Sequence, residues 1–270
     1  MQCGFIGLGS QGAPMARRMI DAGYAVTLWA RRPETLEPFA GTAAQIAPSL
    51  AELGAACDHV GICVVDDAGV QEVCTALFSA MRRGTCIAVH ATVHPHTCIA
   101  LAERAAQRGI ALIDAPVSGG APAAAAGTLT VMAGGDAEAV EAARPVFKSF
   151  AGQIFHLGGV GAGQNAKLIN NALMAAHVAL AHHGLTAAKT LGLDRTALIE
   201  LVKVSSGRSF GFETYARLPT PFAFSHGATM LAKDVRLLDE VLHNDPSAAA
   251  FHAIAAPFLE LVQKGQDKPS

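Results

Sequence analysis

An excess of positive charge is what this sequence most plainly lacks. Its 20 Lys and Arg stand against 22 Asp and Glu, for a net charge of −2. That leaves no electrostatic footprint for nucleic acid or for an anionic membrane surface. Long apolar runs are missing too. The stretch at 172–181 is interrupted by His177 and that at 60–65 by Gly61, so neither approaches the roughly 20 residues that cross a bilayer. No basic segment leading into an apolar one precedes the first apolar run, and no targeting peptide is expected. The six cysteines (Cys3, Cys57, Cys63, Cys74, Cys86 and Cys98) form no CxxC pair. Several fall inside predicted strands, where a thiol packs as a small apolar group. A disulfide framework is therefore not expected, and a reducing compartment, the cytoplasm, is. There is no internal repeat and no low-complexity tail beyond a short polar end at 264–270.

What is present is apolar residue in quantity, 51% of 270, enough for one or two domains at roughly 100–200 residues each. In the first half, strands predicted at 3–6, 25–29, 59–65, 85–89, 111–113, 128–132 and 154–156 alternate with helices. The helices are predicted at 13–22, 49–57, 69–81, 94–108 and 138–148. That alternation is the pattern of βαβ units and a mainly parallel sheet. A glycine-dense stretch at Gly158, Gly159, Gly161 and Gly163 reads as a hinge. Beyond it only helices are predicted, at 164–191, 195–204, 230–243 and 248–262, with Gly192 as a stop and Asp194 as a cap. The expected architecture is an α/β Rossmann domain over 1–158 followed by an all-α domain over 159–270, with the active site in the crevice between them.

Between the first strand and the first helix stands Gly7-Leu8-Gly9-Ser10-Gln11-Gly12, a GxGxxG turn in the context that a dinucleotide site requires. Gly7 allows the tight turn, Gly9 the approach of a pyrophosphate, and Gly12 close helix–strand packing. The phosphates would rest on free N–H groups at the helix start. The second strand runs into Trp29-Ala30-Arg31-Arg32-Pro33, with no carboxylate before Glu34. An acid there binds the 2′-hydroxyl of NAD, whereas Arg31 and Arg32 suit the 2′-phosphate of NADP. NADP is therefore expected rather than NAD.

Four blocks then resemble the β-hydroxyacid dehydrogenase family, that of 3-hydroxyisobutyrate dehydrogenase and the small semialdehyde reductases. They are the segment from Phe5 to Ala16, the pair Asp114-Ala115-Pro116-Val117-Ser118-Gly119-Gly120 and Gly127 to Met132, the segment from Gly161 to Asn171, and Leu231-Ala232-Lys233-Asp234-Val235. They occur in the family's order and span most of the chain. The resemblance implies Lys167 as general acid/base, and Ser118, Gly119, Gly120 and Asn171 as substrate-binding residues. It also implies Thr92 and Lys233 beside the cofactor, with Val65 at the close of its strand joining them. A lysine held in a partly dry helical site suits proton exchange with a carbonyl oxygen while hydride passes to or from the nicotinamide. Lys167 and Asn171, four apart, share one face of their helix. Ala91 stands where the family commonly has Ser, and His226 where an aromatic residue is expected. Both departures bear on the substrate.

The expected activity is NADP(H)-dependent interconversion of a small carboxylate-bearing hydroxyacid with its semialdehyde or keto acid. A reductase of imines or bulkier carbonyls would share the architecture but usually carries a different proton donor in place of Lys167. A non-catalytic NADP-binding sensor or scaffold would be free to lose both Lys167 and Asn171. His90, His94 and His96 form an HxxxHxH pattern, but Pro95 interrupts the helix and no carboxylate or thiol adjoins, so no metal is expected. A long Ala-rich helix carrying His177, His182 and His183, apolar on more than one face, is hard to bury in so small a domain. It points to a homodimer or homotetramer.

Overall fold

The computed structural model describes residues 1–243 and 245–265. From residue 266 onward the polar end of the chain therefore lies outside the described residues. In chain order the elements are β1 (Gln2–Ile6), α1 (Gly12–Asp21), β2 (Ala25–Trp29), β3 (Gln45–Ile46), α2 (Leu50–Ala56), β4 (His59–Ile62), α3 (Asp67–Phe78), β5 (Cys86–Val89) and α4 (Pro95–Ala106). There follow β6 (Ala111–Asp114), β7 (Val117–Ser118), α5 (Gly120–Ala126), β8 (Leu129–Ala133), α6 (Ala137–Phe147) and β9 (Ala151–His156). The rest is helical: α7 (Ala162–Thr190), α8 (Arg195–Lys203), α9 (Phe210–Ala216), α10 (Ser225–Leu242) and α11 (Pro246–Lys264). The chain divides into two compact units, Met1–Lys167 and Leu168–Ser270, and the division falls inside α7.

In the first unit six strands pair in parallel in the order β3-β2-β1-β4-β5-β6. This is the doubly wound Rossmann order, in which the direction of strand succession reverses between β1 and β4. Both faces are covered. Phe5 packs into one apolar cluster with Leu28, Met15 and Phe147, while its neighbour Ile6 packs into another with Ile62, Leu77 and Val89. That division follows from the two-residue alternation of a strand. A small second sheet, β7-β8-β9, joins the first through a bridge between Asp114 and Gly134. The second unit packs Leu168, Ala172, Ala175 and Val178 of α7 against Phe212, Leu231, Val235 and Phe258. Gly192, at φ 71°, stops α7, and Asp194 caps α8 by accepting from the Ala197 N–H at 2.7 Å.

The structure departs from the sequence reading in several places. The biased run at 121–126 belongs to a helix, α5, and α9 and the two-residue strands β3 and β7 had no distinct signal. The strand predicted over 59–65 ends at Ile62. Val64 and Val65 continue its apolar character but line a cleft instead. The glycines read as a hinge include a tight seam: a Cβ on Gly163 would lie 2.2 Å from the Met132 carbonyl oxygen. No described helix is long and apolar enough to cross a membrane.

Two histidines sit inside the first unit. His90 stacks on Phe5 and meets Phe147 and Phe150 edge-on, and its Nδ1 lies 2.8 Å from the Ala115 carbonyl oxygen. Burial lowers its pKa to about 4, and burial with the neighbouring His90 lowers that of His59 to about 3. Both are neutral in the fold. As pH falls below about 6.5 the unfolded chain takes up protons that the fold refuses, so each costs on the order of 1.4 kcal/mol of stability per pH unit down to its folded pKa. Asp114, raised by burial to about 6, works the other way, because its charged form is the costly one. A His59→Phe variant should therefore lose less melting temperature than the native chain between about pH 7 and pH 5. Parallel losses in the two proteins would refute the assignment.

Candidate active site

The C-terminal ends of β1, β2 and β4 open onto a cleft of about 500 Å³ within the first unit. Its walls include Gly7, Leu8, Gly9, Arg31, Arg32, Thr35, Val64, Val65 and Asp66. This is the switch point where doubly wound sheets bind ligands. Gly7, at φ 95°, passes so close to β4 that a Cβ would lie 2.2 Å from the Cys63 carbonyl oxygen. At Gly12 a Cβ would lie 1.9 Å from the Gly7 carbonyl oxygen, whereas one on Gly9 would meet nothing within 4 Å. Two of the glycines thus serve the protein's own packing, and the third faces open space. That is the division of labour a bound pyrophosphate needs, so the residues present fit a dinucleotide. Ser10 and Gln11 complete the turn into α1.

Arg31 and Arg32 reach the same cleft. Each has an exposed acidic neighbour: Arg31 Nη2 lies 2.5 Å from Glu72 Oε2 on α3, and Arg32 Nε lies 3.8 Å from Glu34 Oε1. Such surface pairs are worth about 0–1 kcal/mol, and a doubly charged phosphate can displace them.

The loop after β5 carries Thr92 and is pinned from two sides. Asp67 Oδ1 accepts from the His94 N–H at 2.9 Å and from Thr97 Oγ1 at 2.6 Å. The Gln164 carboxamide of α7 donates to the Ala91 carbonyl at 2.8 Å and accepts from the Val93 N–H at 3.1 Å. The first turn of α7 is itself held by Asp114 at the end of β6. Its Oδ1 accepts from the Gly161 N–H and its Oδ2 from the Gln164 N–H, both at 2.7 Å. Burial raises the Asp114 carboxyl to about 6, and these N–H donors oppose the rise. Lys167, one turn further along, is 8% exposed, far drier than a surface lysine.

Four residues beyond Lys167 on α7, Asn171 Nδ2 donates to Asp234 Oδ2 at 2.5 Å. Asn171 Oδ1 accepts from Asn170 at 3.1 Å. Asp234 is buried, and its Oδ1 lies 3.3 Å from Lys233 Nζ without an aligned hydrogen bond. Its negative charge is matched by the lysine and its orientation is set by the asparagine. In the small sheet Ser118 ends β7, and Gly119 and Gly120 follow at φ 128° and 69°. A Cβ on Gly119 would strike that of Ala123 at 2.5 Å.

Of the three histidines near residue 90, His90 is buried with Nδ1 on the Ala115 carbonyl, and His94 caps α4 by accepting from the His96 N–H. His182 bonds Tyr215 Oη at 2.7 Å and packs on Phe258. Sequence reasoning assigned no role to Asp114, Gln164, Asp67 or Glu72. Asp114 opened one of the family-like blocks and closed the apolar run Ala111-Leu112-Ile113, and those were the available signals for it.

Comparison with known proteins finds matches over both halves of the chain. Residues 2–158 match the NAD binding domain of 6-phosphogluconate dehydrogenase, and residues 161–269 match the NAD-binding domain of NADP-dependent 3-hydroxyisobutyrate dehydrogenase. The L-threonate dehydrogenase of Cupriavidus necator is 36% identical over 92% of this chain and 87% of its own length. The NAD-dependent L-serine dehydrogenase of Pseudomonas aeruginosa is 33% identical over 97% and 92%. Among solved structures, the 3-hydroxyisobutyrate dehydrogenase of Mycobacterium tuberculosis with L-serine superimposes with a TM-score of 0.85. It is 27% identical, over 99% of this chain and 100% of that one.

The glycine turn gives a paired test. Gly9→Ala should melt within about 2 °C of the native chain, because the methyl meets nothing, yet bind NADPH at least about tenfold more weakly. Gly7→Ala should melt several degrees lower as well, from a clash and a positive φ costing about 1–3 kcal/mol. If Gly9→Ala binds NADPH as tightly as the native chain does, the cleft is not the pyrophosphate site.

Proposed function

Because this chain belongs to the β-hydroxyacid dehydrogenase family, we propose that it interconverts a small hydroxyacid and its semialdehyde or keto acid with NADP(H), Lys167 exchanging the proton. The family membership makes it an NAD(P)-dependent oxidoreductase. The reading beyond that rests on one observation above others: Lys167 is nearly dry, on the helix whose first turn Asp114 and Gln164 hold.

The nicotinamide, when bound, supplies or accepts the hydride. Everything else falls to the chain. Lys167 gives a proton to the carbonyl oxygen in reduction and takes it back in oxidation. Asn171, its amide oriented by Asp234, hydrogen-bonds the substrate oxygen or carboxylate. Ser118, with the backbone of Gly119 and Gly120, offers hydroxyl and N–H donors to a carboxylate. Lys233 adds positive charge near substrate or cofactor, and Thr92 and Val65 border the cofactor. The substrates named for the relatives, L-serine, L-threonate and 3-hydroxyisobutyrate, are all small hydroxyacids, which supports the same class here.

NADP is preferred because Arg31 and Arg32 line the cleft where an NAD site would place a carboxylate. The domain division proposed is a cofactor domain over 1–158 and a substrate and assembly domain over 159–270. Ile169, Leu173 and Leu180 form an exposed apolar stripe on α7, which supports a dimer or tetramer. The free cysteines, with thiol pKa values raised by burial, suit a reducing cytoplasm.

The test is NADPH and NADH oxidation with glyoxylate, succinic, tartronate and methylmalonate semialdehydes and a cyclic imine, on native and Lys167→Ala protein. Native turnover should favour NADPH. It should fall about 10²–10⁴-fold in the variant, with NADPH affinity within about threefold of native. Equal turnover in both proteins would remove Lys167 from the chemistry.

A further inference from the structure

Gln164 is 0% exposed, and a buried carboxamide is tolerated only when both its ends are hydrogen-bonded. Here both ends reach one short segment, with Nε2 also 3.9 Å from the Cys98 Sγ of α4. Nε2 donates to the Ala91 carbonyl at 2.8 Å and Oε1 accepts from the Val93 N–H at 3.1 Å. Two bonds to residues two apart are what a neighbouring β-strand would make, and the residue they bracket is Thr92. The main chain of Gln164 is tied elsewhere, its N–H donating to Asp114 Oδ2. A single residue therefore bonds the loop after β5 through its side chain and the end of β6 through its backbone, one helical turn before Lys167.

We propose that Gln164 is a positioning residue that holds the Thr92 loop in register with the first turn of α7, so that the cofactor-side loop and Lys167 keep one fixed separation. The proposal rests on the reading of Thr92 and Lys167 given above. It goes beyond that reading by assigning the register to a residue that touches neither cofactor nor substrate. Displacement of a proton donor by about 1 Å costs on the order of 10²-fold in rate, so a loop freed on one side should be visible in kcat.

The side chain's chemistry separates this role from mere filling of space. Leucine matches the shape and supplies neither bond. An ionised glutamate can accept from Val93 but sets negative charge against the Ala91 carbonyl. A protonated glutamate supplies donor and acceptor again, and burial favours that form. Gln164→Leu and Gln164→Glu should therefore differ in a pH-dependent way.

Three quantities decide it: hydrogen exchange at the Val93 amide, NADPH affinity by fluorescence titration, and kcat with carbonyl KM. In Gln164→Leu, Val93 should exchange at least about tenfold faster, NADPH should bind about three- to tenfold more weakly, and kcat should fall at least about tenfold, with carbonyl KM within about threefold. In Gln164→Glu, activity relative to native should recover as the pH falls from about 8 to about 6. A space-filling role would lower the melting temperature of both variants but leave kcat per folded molecule and the pH profile parallel to native. Gln164→Leu with native NADPH affinity and kcat within about twofold overturns the proposal. If that variant does not fold, Gln164→Glu decides: a pH profile parallel to native overturns the proposal equally. Should native protein bind NADPH and turn over no carbonyl, the proposed function fails, while Val93 exchange and NADPH affinity still judge Gln164.

Discussion

The carboxylate of Asp114, accepting from the Gly161 and Gln164 N–H groups at the start of α7, is the constraint on which the site depends. A helix begins with N–H groups that have no partner in the helix. Here the cap is not the residue before the helix but the last residue of β6, some fifty residues earlier in the chain. The arrangement fixes where α7 begins, and therefore which residues face which way along it. Burying a carboxylate is costly, as its pKa of about 6 shows, and the N–H donors offset part of that cost. The cost is consistent with a need to set accurately the position of Lys167, the last residue of the first unit.

Close approach does the remaining work. Gly134 and Gly163 let the first turn of α7 lie against β8 and Asp114. A Cβ on Gly134 would sit 2.5 Å from Asp114 Oδ1. Gly7 and Gly12 perform the same service where β1 meets α1 and the loop after β4. Both ends of the proposed chemistry, the phosphate turn and the catalytic helix, thus rest on backbone packed too tightly for any side chain. Both are anchored to the same parallel sheet, at β1 in one case and β6 in the other.

Features carried by neighbouring residues were legible in the sequence. The glycine turn, the Arg31-Arg32 pair, the alternating strands and helices, and the cap at Asp194 all depend on local spacing, and each stands where it was expected. Short elements were not legible: α5 is an alanine-rich run without a polar face, and β7 has two residues. Least visible were the bonds that organise the site. Gln164 lies 73 residues from Ala91 in the chain and 71 from Val93, and Asp114 lies 47 from Gly161. No periodicity records such pairs. The glycines around residue 160 showed the limit most clearly, since glycine permits both a flexible joint and a tight seam, and composition does not distinguish them.

The most direct test of the account is Asp114→Asn, compared with native protein by amide hydrogen exchange and turnover. Asparagine keeps the shape, but its NH2 group would face one of the two N–H donors. Exchange at Gly161 and Gln164 should accelerate and kcat should fall by about two orders of magnitude, while NADPH affinity stays within about fivefold because the cofactor cleft is built on other strands. An Asp114→Asn protein with native kcat and native protection at those two amides would contradict the claim that this carboxylate sets the start of α7 and the position of Lys167.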